Sequence, residues 1–412
     1  MTLSLVSVAV ADRPARAAVA GASFGRAFTL HIPLNSASTE DADASALSCP
    51  SFGNCVAGGG FYDKSGNFEP MVITDSSGKW SRGVELKLPN DAPASVFAQA
   101  SSVSCRRIGD CVAVGSYPVP TANFGRAFVA TEVAGKWHQA TELKLPAGAA
   151  SPPQAQVLAV RCWALGSCLA VGDYLDSAQN VQAMMLTESN GSWHRATEIF
   201  PPSDAGPKPY LSFNALACQH GGQCVLAGEY YNVLGHSIGL GLVVSHGNFL
   251  TVEKIKLPHN ADGTAAYFFS ASCPSSTQCV IVGDYRDTAG ETQPLSAVES
   301  NDQFKSATEI TSVPPNEVHA ELYSVGCSVS GRCVAVGRYT DSTDHDKTYV
   351  VTRSATGHWG NAAIVRTPPG ASTAPAKTAI LGGVSCLIHG CIVVGEYETD
   401  ADAFIPMAAV EP

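Results

Sequence analysis

The stretch Val103-Ser104-Cys105-Arg106-Arg107-Ile108-Gly109-Asp110-Cys111-Val112-Ala113-Val114-Gly115-Ser116-Tyr117 joins a short β-rich run, a cysteine pair, an apolar run and a glycine followed by an aromatic. It returns along the whole chain. The 14 cysteines fall into seven close pairs: Cys49/Cys55, Cys105/Cys111, Cys162/Cys168, Cys218/Cys224, Cys273/Cys279, Cys327/Cys333 and Cys386/Cys391. Their first members lie 56, 57, 56, 55, 54 and 59 residues apart. Spacing of this kind marks a repeat architecture and governs every later reading.

Four residues after each pair stands a glycine: Gly59, Gly115, Gly172, Gly228, Gly283, Gly337 and Gly395. Two further on comes an aromatic: Phe61, Tyr117, Tyr174, Tyr230, Tyr285, Tyr339 and Tyr397. A polar turn, a second apolar run and a turn ending in Trp80, Trp137, Trp193, Phe249, Phe304 or Trp359 complete the unit. Each unit reads as four short strands, a to d, separated by turn signals. Strand b is apolar throughout, as suits a strand covered on both faces. Seven four-stranded units describe an all-β, seven-bladed β-propeller with antiparallel blades; an open solenoid is the alternative.

The chain ends discriminate between the two. Pro406–Glu411 resembles strand c of the fifth unit, Pro294–Glu299, so the seventh blade lacks its own strand d. Phe24 lies nine residues before Pro33, the spacing of Trp137 to Pro146, and Pro33 precedes Cys49 by the same 16 residues that separate Pro89 from Cys105. Residues 24–34 therefore read as strand d of blade seven, closing the ring and removing its exposed edges. The expected organisation is a signal-like or disordered segment over 1–23 and one propeller over 24–412. Its blades run roughly over 35–90, 91–147, 148–203, 204–259, 260–315, 316–369 and 370–412.

A hairpin with five residues between its cysteines brings the pair face to face, so one disulfide per blade is expected. Zinc and free thiols are the alternatives, but structural zinc prefers closer pairs with a second pair nearby. Each small loop stabilises by about 2 kcal/mol on the loop-entropy model. Seven bridges imply an oxidising compartment, hence a secreted or cell-surface protein. The apolar stretch Leu3–Ala11 and the A-x-A sites at Ala9-Val10-Ala11 and Ala18-Val19-Ala20 fit a signal, although no Lys or Arg precedes them. They read as a truncated start or the remnant of a longer signal.

The 412 residues carry 25 Lys and Arg against 36 Asp and Glu, a net charge of −11, with 45% hydrophobic and 15% charged residues. That composition excludes a disordered chain and argues against nucleic acid as a partner. No apolar run reaches the roughly 18 residues of a transmembrane helix.

The repeats, typified by Val103-Ser104-Cys105…Cys111-Val112-Ala113-Val114-Gly115 and Ala271-Ser272-Cys273-Pro274-Ser275, resemble those of exported actinobacterial proteins of unknown function, from about residue 24 onward. A weaker likeness connects Thr74-Asp75-Ser76-Ser77-Gly78-Lys79-Trp80 and Thr187-Glu188-Ser189-Asn190-Gly191-Ser192-Trp193 to the Asp-box of sialidase and BNR-repeat propellers, with the Asp–Gly spacing wrong by one. The first resemblance implies the fold and the compartment, and leaves activity open.

In a propeller the b–c and d–a loops share one face around the axis, and the cysteine hairpins lie on the other. The long, Pro-rich d–a loops on a rigid scaffold are a usual place for function. Acids directly follow the strand-b glycine at Asp173, Glu229, Asp284 and Glu396, and Asp63, Asp176, Asn232, Asp287 and Asp341 open the b–c turns. Their functional reading is a cation- or polyol-binding rim, with Ca²⁺ the candidate ion although no cofactor is required; the alternative is turn capping. The Gly-x-Tyr aromatics either stack on sugars or pack between blades. Asp341-Ser342-Thr343-Asp344-His345-Asp346 looks metal-like but lacks Ca²⁺-loop spacing. Arg286 and Arg338 break the repeat. With Arg161 and Glu229 they could supply the arginines and acid of a sialidase. No G-x-S-x-G, H-E-x-x-H or P-loop occurs. The expectation is a monomeric, non-enzymatic binding or scaffold module for a protein or cell-wall glycan, with Asp63, Asp173, Asp176, Glu229, Asp284, Arg286, Asp287, Arg338 and Asp341 as ligand-binding candidates. A glycosidase or lyase is the alternative.

Overall fold

The computed structural model describes residues 22–37, 41–93, 97–118, 125–313, 317–341, 346–372, 374 and 377–411. The expected signal-like segment falls outside them through residue 21, as do residues 342–345 of the metal-like run in blade six.

Seven antiparallel sheets follow one another in chain order. In blade one, strand a is Ala42–Ser51, strand b Asn54–Tyr62 and strand c Phe68–Ser76, and strand d is broken into Lys79–Trp80 and Val84–Glu85. The seventh sheet consists of Ala379–Leu387, Gly390–Glu398, Phe404–Val410 and Phe28–Thr29. Phe28 pairs with Ala408 and Thr29 with Met407, so the N-terminal segment supplies the outermost strand. The ring is closed, and the open solenoid is excluded.

All seven cysteine pairs form disulfides within their own blade: Cys49–Cys55, Cys105–Cys111, Cys162–Cys168, Cys218–Cys224, Cys273–Cys279, Cys327–Cys333 and Cys386–Cys391. The register explains the pairing. Cys105 faces Cys111, Cys162 faces Cys168, and Cys218 faces Cys224 across the a–b hairpin. Cys327 likewise faces Cys333, and Cys386 faces Cys391. In blades one and five the bridge sits beside a register shift, between Ser48 and Ser51 and between Ser272 and Ser275. No cysteine is free, which removes the zinc and free-thiol alternatives. The second cysteine of each pair is core. Cys55, Cys279, Cys333 and Cys391 are fully buried, out of reach of any ligand. The cysteines therefore staple the hairpins.

Two sets of bonds hold neighbouring blades together. Near the axis, a serine preceding the first cysteine accepts a backbone N–H of the next blade. Cys105 N donates to Ser48 Oγ at 2.9 Å, Cys162 N to Ser104 Oγ at 2.9 Å, and Cys327 N to Ser272 Oγ at 3.0 Å. Farther out, Ala140 N donates to the Lys87 carbonyl at 2.8 Å and Ala196 N to that of Lys144 at 2.8 Å. Ala27 N makes the same bond to the Arg366 carbonyl at 2.8 Å, and Gly83 N reaches His31 O at 2.7 Å. The closing strand is thus stitched to blade six on one side and blade one on the other.

The Gly-x-Tyr aromatics are core. Phe61, Tyr117, Tyr174, Tyr230 and Tyr285 are fully buried between blades. Their hydroxyls meet polar groups at the loop face: Tyr230 donates to Asp204 at 2.9 Å, and Tyr285 to Glu309 at 2.9 Å. The turn tryptophans Trp80, Trp137, Trp193 and Trp359 lie half-buried against the inter-blade clusters.

The strand-b glycine answers a different need. In every blade, strand a carries a β-bulge opposite it, for example between Val157 and Ala159 and between Phe268 and Ser270. The bulge pushes a strand-a carbonyl against the glycine Cα. A Cβ on Gly172 would fall on the Gln156 oxygen, and one on Gly283 on the Tyr267 oxygen, far inside van der Waals contact. Such a clash can only be relieved by moving the innermost strand.

Two outcomes follow. Gly172→Ala should cost about 3 kcal/mol, the upper end for forced overpacking, read as a lowered urea midpoint; a variant as stable as the parent would show that the bulge yields. Deletion of residues 1–34 should abolish cooperative unfolding or cause aggregation through the open blade-seven edge. A truncated chain that melts like the full one would show that strand d is dispensable.

Candidate functional site

The bulges build the axial site. The extra residue in each strand a is Ser45, Ser101, Leu158, Asn214, Phe269, Tyr323 or Gly382, always four before the first cysteine. All seven line one cavity of about 330 Å³ along the axis. Two positions earlier lie Asp43, Gln99, Gln156, Ser212, Tyr267, Glu321 and Ile380. They sit opposite the residues after the strand-b glycine: Gly60, Ser116, Asp173, Glu229, Asp284, Arg338 and Glu396. The mouth of the channel is therefore a double ring of paired, mostly polar side chains.

The rings are joined by hydrogen bonds. The Gln99 amide donates to Asp43 at 2.5 Å, and the Gln156 amide to Asp173 at 3.0 Å. Arg338 bridges Glu321 and Asp346, each at 2.9 Å, and the Tyr323 hydroxyl donates to Glu321. Asp173, Glu229 and Asp284 are only 2%, 5% and 5% exposed. Oδ1 of Asp173 and Oε2 of Glu229 are bare. Burial without a cation lifts all three. Asp173 rises to about 6, held back by Gln156 and Ser212. Glu229 rises to about 8, with the charges of Asp173 and Asp284 adding to burial. Asp284 rises to about 8, with Glu321 adding to burial. Across the ring, Glu396 rises to about 8 through burial and then Asp43.

An aromatic arc borders this acidic sector over blades four to six. Tyr210, 42% exposed, stacks on Tyr231 with centroids 5.5 Å apart. Tyr267 stacks on Phe269 at 6.4 Å, and Phe269 meets Tyr323 edge-on at 5.9 Å.

The remaining candidates lie elsewhere. Asp63, Asp176 and Asp287 each use Oδ1 on two N–H groups of their own b–c turn, at 2.8–2.9 Å. Asn232 does the same at 2.9 and 3.0 Å. That is capping chemistry. Asp341 pairs with Lys347. Arg286 is exposed and pairs with Asp262 at 3.5 Å. Arg161 lines the channel, and Arg338 is engaged with Glu321 at the mouth. The three arginines of the sialidase reading thus stand in different settings: Arg161 in the channel, Arg286 against Asp262 and Arg338 against Glu321. Among the described residues, the acid and sulfur groups close enough to share a metal are Cys162, Cys168 and Glu188, and those sulfurs are bonded to each other.

The Asp-box-like acids of the c–d turn are structural. Asp75 is buried opposite Cys55, and Glu188 opposite Cys168. Sequence reading missed the strand-a ring and the bulge residues. Their signal was present as two variable columns, six and four positions before the first cysteine of an otherwise uniform repeat.

No protein-family model matches the chain. Nor does any curated protein. The fold is similar to that of a protein of unknown function from Dyadobacter fermentans, at 13% identity over 95% of this chain and 99% of that one, TM-score 0.52. It is also similar to a polysaccharide lyase, an ulvan lyase, at 8% identity over 94% of each, TM-score 0.53. A Trypanosoma rangeli sialidase aligns with 11% identity over 94% of this chain and 58% of that one, TM-score 0.45. At these identities the likeness is one of fold alone. No helix among the described residues is long and apolar enough to cross a membrane.

The raised carboxyls make stability depend on pH. Unfolded, Glu229 and Asp284 release their protons near their ordinary values of 4.5 and 3.8; folded, they hold them to about 8. The native state binds more protons in that window, so stability falls as pH rises through it and levels off above. Glu229→Gln should flatten the decline in urea midpoint between pH 5 and pH 8. A decline that stays parallel to the parent would remove Glu229 as a cause.

Proposed function

We propose that the chain is an exported, non-enzymatic binding propeller whose b–c/d–a face holds a glycan over blades four to six. The seven disulfides support an oxidising compartment outside the cytoplasm, in keeping with the resemblance to exported actinobacterial repeat proteins.

One observation carries the reading: the arc Tyr210, Tyr231, Tyr267, Phe269 and Tyr323 is half-buried or exposed at the edge of a polar ring. An aromatic body with a polar rim matches a sugar, whose C–H faces stack and whose hydroxyls hydrogen-bond. Glu321 and Arg338 supply an acceptor and a donor beside it. The burial of Asp173, Glu229 and Asp284 keeps those carboxyls from touching a substrate, so they set the local field rather than act on a bond. Propellers host unrelated functions, so the shared fold with a lyase does not choose among ligands. The second reading, a glycosidase or lyase, draws on the Tyr323–Glu321 pair next to Arg338. It requires turnover as well as binding.

The test is an array of bacterial cell-wall fragments and polysaccharides. Binding by the oxidised protein should fall at least about tenfold in Tyr267→Ala, equivalent to about 1.4 kcal/mol. Cleavage products in the bound fraction would favour the enzyme reading. Failure to bind any saccharide would overturn the glycan reading and leave a protein ligand.

A further inference from the structure

The residue before the first cysteine of each pair faces the axis. In six blades it is small: Ser48, Ser104, Ala217, Ser272, Gly326 and Ser385. In blade three it is Arg161. Arg161 borders both the upper cavity of about 330 Å³ and a second axial cavity of about 190 Å³ toward the disulfide face. With Leu47 and Val384 it lines both halves of the channel, and it is the charged member of that set.

Its guanidinium has five N–H donors and stays charged inside proteins. Among the described residues it makes one hydrogen bond, from Nη1 to the Val160 carbonyl at 2.8 Å. No carboxylate of the described residues pairs with it, and burial alone pulls its pKa below the ordinary value, with no neighbouring charge to offset it. The chain has an acidic excess of 11, yet none of the described carboxylates is placed against this cation.

The walls add donors. Ser102 and Ser270 line the upper cavity, and their oxygens accept N–H groups of Val160 and Val325, each at 3.1 Å. Ser48 and Ser272 line the lower cavity and accept from Cys105 and Cys327. A hydroxyl whose oxygen accepts from the backbone still has its own proton to give. A guanidinium with spare donors in a channel walled by hydroxyls, with no carboxylate partner among the described residues, is costly unless an anion completes it.

We propose that the axial channel binds a small inorganic anion at the Arg161 guanidinium. The site shares the upper cavity with Phe269 and Tyr323 of the aromatic arc, whereas Tyr267, whose replacement tests the glycan reading, lines neither axial cavity, so the two tests are separable.

Arg161→Ser installs the residue that four other blades already carry, so the variant is compatible with the fold. Crystals of the full chain and of R161S, soaked in sodium bromide, are compared at the bromine absorption edge, and the chloride NMR line width is measured for both in solution. The expected result is an anomalous peak within hydrogen-bonding reach of the Arg161 guanidinium and excess chloride broadening, both lost in R161S. Should R161S melt early, Arg161→Gln, which keeps most of the volume and removes the charge, should show the same loss. A wild-type channel without a bromide peak overturns the proposal. So does a channel peak that persists in R161S, which would place the anion on other groups.

Discussion

The close approach of strand a to the strand-b glycine organises this molecule. Each innermost strand takes one extra residue, and the carbonyl displaced by that bulge occupies the space of a Cβ. The bulge changes strand parity halfway along. Residues on its cysteine side direct serines toward the next blade, where they accept backbone N–H groups. Residues on its loop side form the polar double ring. The same local device therefore both joins the blades and builds the channel mouth.

Blade seven is completed because the N-terminal segment adds its outermost strand, so each of the seven sheets has a strand d. Closure is not left to Phe28 and Thr29 alone: Gly25 N reaches the Val410 carbonyl at 3.0 Å and Leu30 N that of Pro406 at 2.9 Å. The cross-blade bonds of Ala27 and His31 then repeat the pattern of the seams at Ala140 and Lys87, Ala196 and Lys144, and Ala307 and Lys256. On the disulfide face, Glu411 at the end of the closing blade pairs with Arg332 of blade six, at 2.9 Å for Nη1 to Oε2. The disulfides secure each a–b hairpin, while the seams depend on backbone hydrogen bonds and on the buried aromatics between blades.

The axial region is where the locally consistent choices of the repeat stop. Burial raises Asp173, Glu229 and Asp284, the charges of the first and last add to the rise at Glu229, and Arg161 has no carboxylate partner among the described residues. Pairing these charges would be the cheaper arrangement for stability. Proteins tend to depart from locally consistent choices at functional sites. Here the departures gather on one axis and on the sector of blades three to six.

The sequence by itself determined the number of blades, the identity of each disulfide pair and the closing role of residues 24–34. Each of these follows from spacing within one repeat or from matching one repeat to another, and such offsets survive folding unchanged. Tertiary structure alone decided which side chains reach the axis. A period of two assigns a residue to one of two faces, but the strand-a bulge reverses that assignment partway along the strand. It also decided that Asp173, Glu229 and Asp284 are buried, whereas Asp63, Asp176 and Asp287 are held by their own turns. It gave Arg286 and Arg338 carboxylate partners in Asp262 and Glu321, and left Arg161 without one among the described residues. The physical reason is that burial and pairing at the axis depend on neighbours supplied by other blades, at least one full repeat away in sequence.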